Sequence, residues 1–204
     1  MASPAFDVVL FDLGGVLIDP GGVGPMRQLG RIESDDALWE RWLTCRWVRA
    51  FERGGCSAEE FAAGVVDDWE LGISPGDFLL SFGDWPGAML DGASDLVGAV
   101  RPVVPVGCLS NTNVVHWDRH FSDLVTALDF DHTFLSFELG LVKPDREIFA
   151  NVSSRLGVPA HRILFLDDNT LNVEAALASG FVARRAQGVA EARRALISLG
   201  VLPS

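Results

Sequence analysis

The sequence predicts an α/β fold in which a parallel sheet has helices on both faces and carries an inserted helical cap. Short apolar runs alternate with helical patterns in residues 1–18 and about 91–204, whereas residues about 20–88 have helical patterns throughout. Strands that alternate with helices are typical of a parallel sheet. We therefore expect a core formed by residues 1–19 and 89–204, and a cap formed by residues 20–88.

Five apolar runs predict the strands of this sheet, at residues 7–12, 103–109, 132–137, 162–167 and 181–184. Nearly continuous apolar runs are expected where a parallel strand is buried on both faces. Two connecting segments predict helices. Apolar residues recur at helical spacing up to Leu156 before a terminating Gly157, and a second helix spans about Thr170 to Ser179.

The cap region carries its own helix-start signals. S-A-E-E at 57–60 and S-P-G-D at 74–77 both fit the capping pattern of Ser followed three residues later by an acid. Apolar residues recur every four positions and predict the core of a small bundle, or alternatively the lining of a substrate pocket. The residues of these stripes are Trp39, Leu43, Trp47, Phe51, Phe61, Val65 and Trp69. Because the region begins just after the first strand, it is placed to exclude water from a site there.

Polar groups follow four of the predicted strands. Because ligands bind parallel sheets at the carboxyl ends of the strands, these groups should converge on one crevice. The adjacent acids after the fourth strand are the most informative pair, since neighbouring carboxylates repel one another unless a cation lies between them. The four groups are Asp12, Ser110-Asn111-Thr112, Lys143 and Asp167-Asp168-Asn169.

Composition limits the function classes. The 204 residues carry a formal net charge of −12, which disfavours binding to nucleic acid or to an anionic membrane. An anionic ligand would therefore need local positive charge. Cys45, Cys56 and Cys108 form neither a disulfide framework nor a zinc motif, and we expect buried or semi-buried thiols. No signal peptide or membrane-spanning run is evident, so we expect a soluble, cytoplasmic protein.

Four motifs together resemble those of the haloacid dehalogenase-like hydrolase superfamily, and the resemblance covers nearly the whole chain. They are F-D-L-G-G-V-L, L-S-N-T, G-L-V-K-P-D-R-E-I-F and F-L-D-D-N-T-L-N-V-E-A-A, in the order and spacing of that family. The resemblance implies a Rossmann-like core with a helical cap after the first motif. Among subgroups, the chain looks most like the small phosphatases that resemble bacterial glucose-1-phosphate phosphatase.

The resemblance also implies residue roles in a phosphatase. Asp12 would be the nucleophile that forms an aspartyl-phosphate, and Lys143 would neutralise charge on Asp12 and on the phosphoryl group. Ser110 and Asn111 would hold a phosphoryl oxygen. A Mg²⁺ ion would be held by Asp12, the main-chain carbonyl of Gly14 and Asp168, with help from Asp167. The expected partner is a small phosphorylated metabolite, possibly a sugar phosphate.

Gly14 departs from the family's usual pattern. Its phosphatases have there a second Asp, which acts as general acid and then as general base, and losing such a group costs ~10²- to 10⁴-fold in rate. In a first account the protein is still a phosphatase: its substrate leaves easily, or a water or another carboxylate supplies the proton. Asp19 and Glu52 are candidates for that carboxylate, although we expect each to be an ordinary loop or surface acid. In a second account it attacks carbon as the haloacid dehalogenases do, although those enzymes lack the acidic pair. In a third it binds a phosphorylated ligand or a protein without turnover.

Other charged residues give weaker signals. His116 and His120 share one helix face, but no third metal ligand is evident, so we expect surface or packing roles. We expect Arg49 and Arg53 in the cap to be ordinary solvated charges, with contact to a substrate phosphate or sugar as the alternative. The identity of the substrate and the oligomeric state stay open at this stage.

Overall fold

A computed structural model describes residues 5–203, with only the backbone described at Val23 and Asp36. Its centre is a five-stranded parallel sheet in the order β3-β2-β1-β4-β5. The strands are β1 (Val8–Phe11), β2 (Val106–Ser110), β3 (His132–Leu135), β4 (Ile163–Asp167) and β5 (Val182–Arg185). The predicted α/β class and parallel sheet are confirmed.

The predicted strands agree with the observed ones to within one residue, except at two ends. Residues 103–105 precede β2 as a turn, because Pro102 and Pro105 lack the N–H groups that a central strand needs. Ser136 and Phe137 leave β3 and begin the short helix α9 (Ser136–Leu139). The helix after the K-P-D sequence, α10 (Arg146–Leu156), ends as predicted at Gly157, whose φ is 65°.

Helices cover both faces of the sheet. They are α6 (Ala93–Val100), α7 (Val114–His116), α8 (Ser122–Leu128), α9, α10, α11 (Thr170–Ala178) and α12 (Gly188–Ser198), with a π-helical turn at Trp117–Phe121 and a 3₁₀ turn at Ala160–Arg162. Alternate residues of β1 enter two different cores: Val9 and Phe11 one, Val8 and Leu10 the other. This double burial explains why the strand is apolar at every position.

Residues 23–83 form five helices: α1 (Val23–Gly30), α2 (Asp35–Thr44), α3 (Arg46–Glu52), α4 (Ala58–Asp68) and α5 (Pro75–Gly83). Their buried side chains form a third apolar cluster, from Met26 to Phe82, that includes Phe51, Phe61 and Trp69. Most of the aromatic stripes therefore form a bundle core. We refer to residues 20–88 as the cap; its exact boundaries stay a prediction.

The two chain segments that join the cap to the core run beside each other. Asp19 N–H donates to the Ala88 carbonyl at 3.0 Å, and Gly87 N–H donates to the Asp19 carbonyl at 2.9 Å. Ile18 also forms an antiparallel bridge with Met89. Entry to and exit from the cap thus lie together, next to the loop that follows β1.

Two further expectations can be compared with the fold. The three cysteines are free; Cys45 and Cys108 are buried and Cys56 is partly buried, as predicted. Within residues 5–203, none of the helices combines the length and the apolar character that crossing a bilayer requires.

Candidate active site

Asp12 lies immediately after the central strand, where the sheet order places it between the ends of β2 and β4. Its N–H donates to the Leu166 carbonyl at 2.7 Å, which extends the pairing of β1 with β4. Side-chain atom Oδ1 accepts from Leu13 N–H at 2.8 Å and lies 3.0 Å from Lys143 Nζ. No donor among residues 5–203 is within hydrogen-bond distance of Oδ2. That oxygen is available to attack a substrate.

Lys143 is fully buried, and its ammonium group is held by three oxygens. Nζ donates to the Leu109 carbonyl at 2.9 Å and to Asp167 Oδ2 at 2.7 Å, in addition to its contact with Asp12. Burial alone would lower the pKa of Lys143, but the carboxylates of Asp12 and Asp167 raise it above its ordinary value. The side chain is therefore a fixed positive charge beside the Asp12 carboxylate.

Asp167 is engaged by protein donors on both oxygens. Oδ1 accepts from Asn169 N–H at 2.8 Å and from the Asn172 side chain at 3.1 Å, and Oδ2 accepts from Asn172 at 3.0 Å as well as from Lys143. This arrangement orients the ammonium group of Lys143. Of the acidic pair, Asp168 is thus the residue with more freedom to bind a cation directly, while Asp167 is placed to support it.

Three carboxylates meet at this edge of the sheet. Oxygen atoms of Asp12, Asp167 and Asp168 all lie within 4.8 Å of one another. Burial raises the pKa of Asp12 to about 7 despite the lowering effect of Lys143, and it raises the pKa of Asp168 to about 6, with a further contribution from Asp167. Three acids against one ammonium group would be stabilised by a divalent cation, and an all-oxygen donor set suits Mg²⁺.

The loop after β2 is tied to Lys143 through its main chain. Asn111 Nδ2 donates to the Lys143 carbonyl, and Lys143 N–H donates to Asn111 Oδ1, each at 2.9 Å. Ser110 is the last residue of β2; it is buried and lines the same cavity as Asp12. The structure therefore brings Asp12, Ser110, Asn111, Lys143 and Asp168 to one cavity, with Asp167 bound to Lys143. Thr112 instead exchanges main-chain hydrogen bonds with the Ser136 hydroxyl.

The two glycines after Asp12 have different roles. Gly15 has a φ of 74°, and a Cβ atom there would lie 2.2 Å from Asp168 Oδ2. Only glycine permits this close approach between the loop and the acidic residue. At Gly14 a Cβ atom would meet only the Cβ atom of Pro20, at 3.8 Å. Crowding at the Cβ position therefore does not explain why residue 14 lacks a carboxylate side chain.

We predict opposite outcomes for alanine at these two glycines. Gly15→Ala should lower the free energy of unfolding by about 2–4 kcal/mol, because it combines an unfavourable φ with overlap on Asp168. Gly14→Ala should stay within about 1 kcal/mol of the parent protein. Urea unfolding of both variants measures this difference. Equal losses would show that the loop does not press against Asp168 in solution.

The cap and the core enclose a cavity of about 710 Å³ over Asp12. The core contributes Asp12, Ser110, Asn111, Lys143 and Asp168, together with Arg185, which the sequence did not single out. Arg185 Nε donates to the Asp168 carbonyl at 3.0 Å. The cavity has a size typical of sites for small molecules.

The two candidate proton donors differ in position. Asp19 is exposed, does not line the cavity, and accepts a hydrogen bond from Gly21 N–H at 3.0 Å within a turn. Glu52, at the end of α3, lines the cavity. Burial raises the pKa of Glu52 to about 7, and this effect outweighs the lowering by Trp42, Lys143, Arg49 and Asn111.

The cap contributes aromatic, acidic and small or aliphatic residues to the cavity. Trp39, Trp42 and Trp85 line it, so part of the predicted bundle stripe faces the site after all. Sequence periodicity did not find Trp85, because it follows the last cap helix. Aromatic residues shared between a bundle core and a pocket show the same spacing as core residues alone.

His116 and His120 connect the core to the cap. His116 Nε2 is 2.7 Å from the Phe82 carbonyl and His120 Nε2 is 2.8 Å from the Gly83 carbonyl, at the end of α5. Burial lowers the pKa of His116 to about 4, so its ring is neutral. This agrees with the packing role expected for the pair.

Arg49 and Arg53 are partly exposed, but both form ion pairs and neither is a free surface charge. Arg49 donates to both carboxylate oxygens of Asp145, at 2.8 and 2.7 Å, and Arg53 donates to Asp145 Oδ2. The expectation of surface charges was therefore wrong for these two residues. They were not identifiable because their partner lies more than 90 residues away in the sequence.

A parallel sheet with a carboxylate cluster at its carboxyl edge and a cap over that edge defines a class of hydrolases. The family model for haloacid dehalogenase-like hydrolases matches residues 6–180, and the chain belongs to this family. The resemblance stated from the sequence motifs is thus confirmed.

Known proteins similar to this chain include enzymes of two chemistries. A D-ribitol-5-phosphate phosphatase of Bacteroides thetaiotaomicron is 27% identical over 92% of this chain and 95% of its own. An (S)-2-haloacid dehalogenase of Pseudomonas putida is 25% identical over 85% and 81%. A HAD family enzyme of Bacteroides thetaiotaomicron, solved with magnesium and inorganic phosphate, has a TM-score of 0.69 at 24% identity and covers 89% of this chain and 94% of its own. The last comparison establishes similarity of fold.

Proposed function

We propose that the protein is a Mg²⁺-dependent phosphatase that cleaves a small phosphorylated metabolite through an aspartyl-phosphate on Asp12. The observation that carries this proposal is the cluster of three carboxylates around one buried ammonium group, with an oxygen of Asp12 that accepts no hydrogen bond from the described residues. The phosphatase relative and the fold neighbour solved with magnesium and phosphate support the same chemistry.

The protein's own residues account for binding and attack. Ser110 and the main-chain N–H of Asn111 would bind phosphoryl oxygens, and Lys143 would neutralise charge and favour the ionised form of Asp12. Asp12 Oδ2 would then attack phosphorus in line with the leaving oxygen. The residues that fit Mg²⁺ are Asp12, Asp168 and the Gly14 carbonyl, supported by Asp167. When bound, the ion would neutralise phosphoryl charge at the nucleophile.

A carbon-centred hydrolase is the second candidate, because the dehalogenase relatives have similar coverage and a departing halide needs no proton at Gly14. The adjacent pair Asp167 and Asp168 argues against it. Attack on carbon requires no metal ion, so it would not need the additional carboxylate of Asp168. Burial raises the pKa of Asp168, so its charged form is unfavourable here without a cation.

The cavity favours a phosphate ester whose other part is neutral. The described cap residues that line it contain three acids, Asp35, Glu40 and Glu52, but no Lys or Arg. Asp35 is paired with Arg27 at 2.9 Å, so a second phosphate or carboxylate on the substrate would mainly face Glu40 and three tryptophan side chains. A polyol or sugar monophosphate would avoid this repulsion, and tryptophan faces suit the C–H surfaces of such a molecule.

We predict that monophosphates of neutral polyols and sugars are cleaved at least about tenfold more efficiently than esters of similar size with a second anionic group. The measurement is kcat/KM for matched pairs of esters. Glu40→Gln should reduce the discrimination and leave the neutral esters less affected. Equal rates for both kinds of ester would contradict this account of the cap.

A screen of metabolites with and without Mg²⁺ tests the proposed function. Phosphate release and, separately, halide release from 2-haloacids are measured. We expect phosphate release that requires Mg²⁺. Halide release without Mg²⁺ would favour the carbon-centred hydrolase. Saturable binding of inorganic phosphate without turnover of any ester would favour a non-catalytic family member.

A further inference from the structure

We infer that Glu52 of the cap is the proton donor and acceptor of the reaction, in place of the carboxylate that Gly14 lacks. The inference rests on the proposed phosphatase function. Glu52 lines the cavity that also contains Asp12, Gly14 and Lys143. The cap thus delivers a carboxyl group to the chamber in which the leaving group of a substrate bound at Asp12 would lie.

The end of α3 is fixed to the core at a point next to the site. Arg49 and Arg53, on either side of Glu52, both donate to Asp145, which follows Lys143 by two residues. Gly54 comes so close to Phe137 that a Cβ atom there would lie 2.7 Å from its carbonyl oxygen. A helix end held in this way keeps Glu52 in place relative to Lys143 and Asp12.

The surroundings of Glu52 allow it to carry a proton near neutral pH. Burial raises its pKa to about 7, whereas the polar side chains of Trp42 and Asn111 and the charges of Lys143 and Arg49 lower it. A group with a pKa near the working pH can both give and accept a proton, which a catalytic acid and base must do.

The other groups near the cavity are less suitable. Asp19 is exposed and occupied in a turn. His116 lines the cavity, but its Nε2 atom is bonded to the Phe82 carbonyl, and its Nδ1 atom lies 3.2 Å from the Asn113 amide. Both of its ring nitrogens are thus already engaged.

The proposed reaction has two chemical steps, and Glu52 transfers a proton in each. Asp12 attacks phosphorus, the bond from phosphorus to the leaving oxygen breaks, and protonated Glu52 gives its proton to that oxygen to release the alcohol. Water then attacks phosphorus and passes a proton to the Glu52 carboxylate, while the bond from phosphorus to Asp12 breaks. Inorganic phosphate and free Asp12 are formed, and Glu52 is protonated again.

The test compares Glu52→Gln with Asp19→Asn on phosphate esters of graded leaving-group acidity. Glu52→Gln should slow alkyl esters by ~10²- to 10⁴-fold and release of the phenol from nitrophenyl phosphate only slightly, because a nitrophenolate leaves without a proton. Since hydrolysis of the aspartyl-phosphate also slows, a burst of nitrophenol should appear. Asp19→Asn should match the parent protein on every ester.

Two further readouts separate a proton donor from a structural residue. For alkyl esters, kcat/KM of the parent protein should fall as pH rises through about 7, and Glu52→Gln should lack this limb. Gly14→Asp, for which the loop has space at Cβ, should restore at least about tenfold of the lost alkyl-ester activity in the Glu52→Gln protein.

The outcomes distinguish this inference from the proposed function. If the parent protein cleaves alkyl esters and Glu52→Gln has the same leaving-group dependence and pH profile, Glu52 is not the proton donor. If Glu52→Gln slows all esters equally and Gly14→Asp does not rescue it, Glu52 has a structural role and the inference is overturned. An inactive parent protein would overturn the phosphatase proposal itself.

Discussion

Replacing Asp12 with Asn should reduce phosphate release by at least about 10⁴-fold while the fold stays intact. The Asn amide has nearly the same shape as the Asp carboxylate, so it fits the same space beside Leu13 N–H. It is, however, a poor nucleophile toward phosphorus. Removing the nucleophile of an enzyme that forms a covalent intermediate typically costs this much or more. The measurement is steady-state phosphate release with Mg²⁺ present, compared with Asp19→Asn as a matched exposed control.

The stability of Asp12→Asn gives a separate check on the site. The folded-state pKa of Asp12 is raised above its ordinary value. Such a carboxyl adds stability at low pH, and that contribution is lost as pH rises from about 4 to about 7. The free energy of unfolding of Asp12→Asn minus that of the parent protein should therefore be more positive at pH 8 than at pH 4. Retained turnover in a purified Asp12→Asn preparation would contradict the role of Asp12 as nucleophile.

Residues at strand ends were predictable because topology alone brings them together. Once strands and helices alternate, Asp12, Lys143 and Asp168 must lie at one edge of the sheet, whatever the details of packing. The motif resemblance added roles for the same residues. The central sheet was predictable for a similar reason, since burial on both faces leaves a continuous apolar run.

Contacts between the cap and the core were not predictable in this way. Glu52 was one of two candidate acids, but nothing in its local sequence shows that α3 ends over the cavity while Asp19 stays outside it. Its position depends on Arg49 and Arg53 reaching Asp145, a contact between distant parts of the chain. The division of labour between Asp167 and Asp168 likewise depends on which oxygens Lys143 and Asn172 occupy.

Gly15 shows a third reason why the site could not be fully predicted from the sequence. The sequence indicates a tight loop after Asp12, but any glycine pair would do so. Only the structure shows that Gly15 lies against Asp168, whereas a Cβ atom at Gly14 would meet only Pro20 at 3.8 Å. The two adjacent glycines therefore have different structural surroundings, which the sequence does not distinguish.

Removing Mg²⁺, or replacing Asp168 with Asn, should reduce phosphatase activity by at least about 10²-fold. Asp168 is the member of the acidic pair with less engagement by protein donors, and its carboxylate lies within 4.8 Å of Asp12 and Asp167 oxygens. The amide fits the space beside Gly15 but lacks the charge that holds a hard cation. Activity is measured after chelation, after Mg²⁺ is restored, and in Asp168→Asn.

Binding of Mg²⁺ can be followed without any substrate, which separates the ion site from catalysis. At 100 times its Kd, a ligand that binds only the folded state stabilises it by about 2.7 kcal/mol. Mg²⁺ should therefore raise the Tm of the parent protein and of Asp118→Asn, an exposed control, but not that of Asp168→Asn. If chelated protein kept full activity and Mg²⁺ did not change Tm, the three carboxylates would have no cation to hold. The chemistry would then be that of attack on carbon, in which Asp12 alone of the cluster reacts.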